Sequence, residues 1–180
     1  MRNSLIRAAG LGLVALALAG CNRDKAVEAH NASPQAVASK VAAADIRLAP
    51  GRWESTTRIE KMDMGQMPPE ARAMMQKALG TEQHMATCLT PEQAAKPKGD
   101  FFHGDPSCTY EHFAMGGGKI DAAMTCKRPS GTQRMTVAGS YDAQTYQMHV
   151  TSEGSTGPGM PMNMAMAITA HRVGDCTGKE

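Results

Sequence analysis

Methionine is the residue whose number and spacing here invite chemistry. The 180-residue chain holds 15 Met against one Trp, three Tyr and three Phe. Met62, Met64 and Met67, then Met160, Met162, Met164 and Met166, repeat at two- and three-residue intervals beside Pro/Gly loops. Thioether sulfur is soft and suits copper(I), so Met62, Met64, Met160 and Met162, which flank those loops, are the metal candidates. The competing reading is that Met, adaptable and apolar, fills a core short of aromatics. Strand parity assigns Met124, Met135, Met148, Met164 and Met166 to that role, and a helical stripe assigns Met74 and Met75.

The cysteines carry a different chemistry. Residues 1–20 hold Arg2 and Arg7 and then an apolar run over 8–19, too short to stay in a bilayer as a spanning helix. The run ends Leu18-Ala19-Gly20-Cys21, which matches a bacterial lipobox, whose Cys is acylated with palmitate-type chains and becomes the first mature residue. Asn22 rather than Asp follows, so the expected address is the periplasmic face of the outer membrane, with the inner membrane as the alternative. Removing residues 1–20 takes two Arg and no acid from a chain of net charge +2, which leaves the mature chain balanced. A nucleic-acid partner, which calls for a basic surplus, is thereby excluded.

With Cys21 assigned to the lipid, Cys88, Cys108, Cys126 and Cys176 remain. Four cysteines in an oxidising compartment read as two disulfides, and their gaps fit no common zinc spacing. Among the histidines, His112 is expected to face inward, and His103 with Asp105 could hold a metal in the loop before Cys108, although solvation is the simpler reading. No His-Glu-x-x-His, P-loop or nucleophile-elbow motif occurs, so the chain is read as no enzyme and as needing no cofactor.

The elements that must position these residues follow from periodicity. Residues 21–47 are polar and Ala-rich and read as a flexible tether, with a root-mean-square reach of roughly 25–30 Å. Within it, Ser33 before Pro34 can start a short helix through Val37 and Val41. From residue 51 the period becomes two, with Trp53, Thr57 and Ile59 on one face. Pro68 and Pro69 open a helix over 68–79 whose stripe is Ala71, Met74, Met75, Ala78 and Leu79, closed by Gly80. Thr90, Pro91 and Gln93 form a capping-box pattern.

Gly116, Gly117 and Gly118 turn one alternating run into another. Centring the hairpin on Gly117 sets Cys108 opposite Cys126, Tyr110 opposite Met124, His112 opposite Ala122 and Ala114 opposite Ile120, all on one face. That register predicts the Cys108–Cys126 bridge and leaves Cys88 with Cys176. A further hairpin pairs Met135, Val137, Gly139 and Tyr141 with Ser152, Val150, Met148 and Tyr146. A last strand over 163–173 turns Met164, Met166, Ile168 and Ala170 inward. The expected fold is mainly β (α+β). It is a curved antiparallel meander or partial barrel of about six strands or more over 48–180, with two disulfides and the helix at 68–79 packed on its concave face.

Pro50, Gly51 and Trp53, then Cys88-Leu89-Thr90-Pro91-Glu92, then Cys108 and Cys126, then Arg172, Gly174 and Cys176 resemble a bacterial envelope family, the domain of unknown function 3617. The resemblance covers 48–176. It implies a secreted or lipid-anchored protein with no assigned activity and adds no catalytic residues. Together these readings predict a noncatalytic domain, anchored to the membrane through its N-terminal lipid, that binds an apolar small molecule or an envelope protein. Copper(I) binding or buffering by the methionine loops is the alternative.

Overall fold

The computed structural model describes residues 26–44, 46–65, 68–95, 105–129, 131–157 and 160–180. The expected signal segment and Cys21 lie outside the described residues, as does His103. Eight strands form one open antiparallel sheet: β1 (Val27–Ala32), β2 (Gly51–Asp63), β3 (Glu82–Leu89), β4 (Cys108–Gly116), β5 (Lys119–Arg128), β6 (Gly131–Tyr141), β7 (Thr145–Gly157) and β8 (Met160–Gly174). Their order is β1-β4-β5-β6-β7-β8-β2-β3, so β4 to β8 meander and the β2–β3 hairpin pairs beyond β8. Among the described residues there are also three helices, α1 (Pro34–Ala43), α2 (Pro69–Ala78) and α3 (Pro91–Ala95). The mainly β class is as expected. Both bridges are present, Cys108 with Cys126 and Cys88 with Cys176, their Cα atoms 3.9 and 5.4 Å apart.

Most of the stretch expected to be a tether is folded. Over 27–44 it supplies an edge strand, with Ala29 opposite Phe113 and Val27 opposite Met115, and then α1. Ser33 caps that helix, its hydroxyl accepting from Ala36 N at 3.2 Å, and Pro34 occupies the first turn. Pro34, Val37 and Val41, three and four residues apart, form its buried stripe. Val37 is wholly buried in a core with Val27, Ala29, Tyr110, Phe113, Ile120, Ala122 and Met124. The short helix begins at Ser33 as expected, whereas the segment's low overall hydropathy hid the edge strand and the packing of both elements.

The packed helix is therefore α1. The expected helix at 68–79 exists as α2, but Met74 on its stripe is 74% exposed and Met75 only half-buried. It bridges β2 to β3 as an excursion from the sheet's edge, and Gly80, with φ of 76°, ends it by donating to Ile59 O at 3.0 Å.

The first hairpin corrects its expected register halfway along. Cys108 opposes Cys126 and Tyr110 opposes Met124 as expected, but Glu111 is an extra residue in β4, so His112 opposes Ala123 and Phe113 opposes Ala122. This bulge swaps faces beyond it. Phe113, 1% exposed, turns in against Tyr110 at 5.5 Å between ring centroids, and His112 turns out. Burying Phe113 outweighs keeping the turn symmetric about Gly117, because an inward His112 would leave a polar ring in an apolar core. The second hairpin holds its expected register, Tyr141 opposite Tyr146, and the last strand keeps its expected parity, with Ile168 opposite Met148.

Candidate functional site

The sheet's inner face, the one α1 covers, is occupied unevenly. Helix α1 packs on β1 and β4. After α1, the chain passes along one end of the sheet, with Ile46 buried and Ala49 N donating to Ala143 O at 2.7 Å, before entering β2. Over β7, β8 and β2 the described residues place no such cover on the inner face. Register places Val150, Met164, Met166, Ile168, Ile59 and Met62 on it, and each is only half-buried. Two glycines shape this face at the β6–β7 seam. A Cβ at Gly139 would lie 2.2 Å from Gln147 O, and one at Gly154 would lie 2.8 Å from Gln133 Cα. Both positions have inward parity, so the sheet turns toward its inner side along this seam, which makes the face concave.

The two ends of this face differ. At one, Trp53 is buried, stacks on Tyr146 at 5.9 Å and donates its indole N–H to Ala49 O at 2.9 Å. At the other, the metal candidates converge. Met62 is directly opposite Met164, and Gly65 packs on Pro161, so the register runs on and brings Met64 level with Met162. Opposed side chains on one face of a sheet have Cβ atoms about 5 Å apart, within thioether contact. Three of the four candidate methionines therefore share one corner with Met164. Met160 contributes its backbone, opposite Gly157 at the start of β8. Among the described residues no group of three His, Cys, Asp or Glu could hold a metal.

The outer face is polar and internally paired. Glu111, aimed outward by its bulge, takes Arg134 Nη2 at 3.0 Å and the hydroxyl of Thr125, and these hydrogen bonds hold its carboxyl below the ordinary 4.5. His112 donates to Asp121 at 2.6 Å and His149 to Glu60 at 3.0 Å. His112, expected inside, is thus a surface residue in a cross-strand pair. Asp105 accepts from Ser107 N at 2.9 Å and faces Arg128 at 3.3 Å, holding the turn into Cys108. In the core, burial alone pushes the Tyr110 phenol up to about 12, consistent with a packing role.

The short motifs scattered along the chain come together at the Trp53 end. Gly51 has φ of 140°, and a Cβ there would lie 2.3 Å from Gly174 O and 2.6 Å from Arg172 Nε. Arg172 donates to Pro50 O at 2.6 Å and to Asp175 at 2.7 Å. Gly51 opposes Leu89, and the Cys88–Cys176 bridge fastens β3 to the tail after β8. Thr90 N donates to the Gln93 side chain at 2.9 Å and Gln93 N to the Thr90 hydroxyl at 3.2 Å, the expected capping box of α3. These residues build one clasp joining β2, β3, β8 and α3. A family model described as "Protein of unknown function (DUF3617)" matches residues 48–176. The chain belongs to that family. No curated protein and no solved structure matches it. In this DUF3617 chain the motif residues outside the two-Cys hairpin serve the clasp, and β1 and all of α1 precede the matched span.

Sequence reasoning missed the parts of the site that depend on cover rather than on pattern. Parity located Met164, Met166 and Ile168 on the inner face, but nothing in parity says which strands a helix will shield. The signal that was available is the i, i+3, i+7 spacing of Pro34, Val37 and Val41 behind Ser33.

Proposed function

We propose that this protein is a noncatalytic domain, lipid-anchored in the periplasm through Cys21, that binds an apolar molecule, or the apolar segment of an envelope partner, against the uncovered half of its inner face. The observation that carries this reading is the uneven cover. The methionines and aliphatics of β7, β8 and β2 line a concave face and stay half-exposed, while α1 seals the other half. An apolar face with flexible thioethers suits an occupant of loosely defined shape. Native mass spectrometry on protein extracted from its own envelope is expected to show a co-purifying lipid or protein. A clean apo species with no cross-linked partner would contradict the reading.

The convergence of Met62, Met64, Met162 and Met164 favours a second reading, copper(I) binding at that corner. Copper(I) titrated against a competing chelator is expected to lose its affinity when Met62, Met64, Met160 and Met162 are replaced by Leu. Unchanged affinity in that variant removes copper from the account.

A further inference from the structure

We propose that the domain stands directly on the bilayer holding its lipid, with the end of the sheet at Ala26 and the 116–118 turn toward the membrane and the methionine corner away from it. The proposal rests on lipid anchoring at Cys21 and adds an orientation to it. Only Asn22, Arg23, Asp24 and Lys25 separate Cys21 from Ala26. A fully extended chain covers at most about 3.6 Å per residue, so Ala26 is held within about 18 Å of the acylated cysteine.

The exit point is itself fixed. Ala26 packs on Gly116, where a Cβ would lie 2.8 Å from Ala26 Cα, and the next residue, Val27, is buried and paired with Met115. Among the described residues nothing lies within 4 Å of a Cβ built at Gly117, so the tip of the turn is open to solvent beside the exit, while Gly118 O accepts from Tyr141 N at 2.9 Å. A tether running to residue 47 would let any face of the domain meet the membrane. Folding β1 onto β4 withdraws that freedom.

The antiparallel order sets the far end. Met115 lies where β1 begins, whereas Met62, Met64 and Met162 lie where β2 ends and β8 begins, at the opposite end of the strands. Strands β2 and β8 run 13 and 15 residues, which at about 3.3 Å per residue is roughly 40 Å of separation along the strand. The clasp, the Trp53–Tyr146 stack and residues 46–50 close the membrane-side end of the inner face. Its methionine corner therefore faces the periplasm, and an occupant reaches it from there rather than from the bilayer below.

The methionines report this without added cysteines. The mature acylated protein, with methyl-labelled Met, is placed in nanodiscs whose lipid headgroups carry a nitroxide, and Met115→Leu assigns its signal. The expected result is loss of the Met115 methyl signal while those of Met62, Met64 and Met162 persist. Inserting a Gly/Ser segment of about 20 residues between Lys25 and Ala26 should abolish that contrast, because the exit is then no longer held near the headgroups. Equal loss at both ends in the native spacing, or greater loss at Met62, overturns the orientation alone. Absence of an acyl mass on Cys21 overturns the anchoring and the orientation together.

Discussion

Glu111 shows how one extra residue redirects chemistry. By bulging out of β4 it turns Phe113 into the core and reaches across Thr125 to Arg134 on the next strand. Asp142 does similar work at the β6–β7 turn, accepting from Gln144 N at 2.6 Å and Thr145 N at 2.7 Å. Hydrogen bonds lower both carboxyls, chiefly from Arg134 for Glu111 and from the Gln144 backbone for Asp142, from ordinary values of 4.5 and 3.8. A carboxyl lowered on folding binds fewer protons in the native state, so its stabilisation is complete above the ordinary value and fades as pH falls through the lowered one. Thermal midpoints recorded from pH 6 downward should therefore drop more in the wild-type protein than in Glu111→Gln. Parallel profiles would mean the pair adds nothing to stability. The bulge itself was not legible, because alternation of β4 and β5 about the three glycines is satisfied by either register. Only the preference for Phe113 over His112 inside separates the two.

Two helices with comparable apolar stripes have opposite fates. The stripe of α1 is short, Pro34, Val37 and Val41, yet it lies across β1 and β4 and is buried; that of α2 is longer and faces solvent. What decides is connection. Helix α1 links one edge of the sheet to the strand beside β8 and must cross the face, whereas α2 sits within the β2–β3 hairpin and need not touch it. Periodicity records the stripe and not the topology, so α2 was readable as a helix and misread as a packed one. Val37→Ala should cost about 2 kcal/mol, two buried methyl groups and the cavity they leave, in urea unfolding. Met74→Glu should stay within about 0.5 kcal/mol of wild type, as for other exposed sites. Similar losses in both would contradict this assignment of the core. The Cys108–Cys126 bridge was legible because the register centred on Gly117 holds at the open end of the hairpin, on the far side of the bulge from the turn, and Cys88–Cys176 followed by elimination.

At the scale of the molecule, α1 covers one half of an open eight-stranded sheet, and among the described residues the apolar face over β7, β8 and β2 stays half-buried. The strands that make the face and a curved sheet could be read from alternation, but the positions of close approach could not, since Gly139 and Gly154 act only through contacts across the β6–β7 seam. The clasp fixes β2, β3 and β8 in place, so the face is a rigid surface with adaptable methionines on it. Substituting Met166 by Glu puts a charge in the middle of this face, where any apolar occupant would have to desolvate it, and Met74→Glu provides the same change on an exposed helix outside this face. The most direct measurement is native mass spectrometry of the two variants beside wild type, each extracted from its own envelope. A co-purifying species present in wild type and Met74→Glu but lost from Met166→Glu is the predicted result. All three proteins emerging clean, or all three carrying the same species, would contradict binding at the inner face.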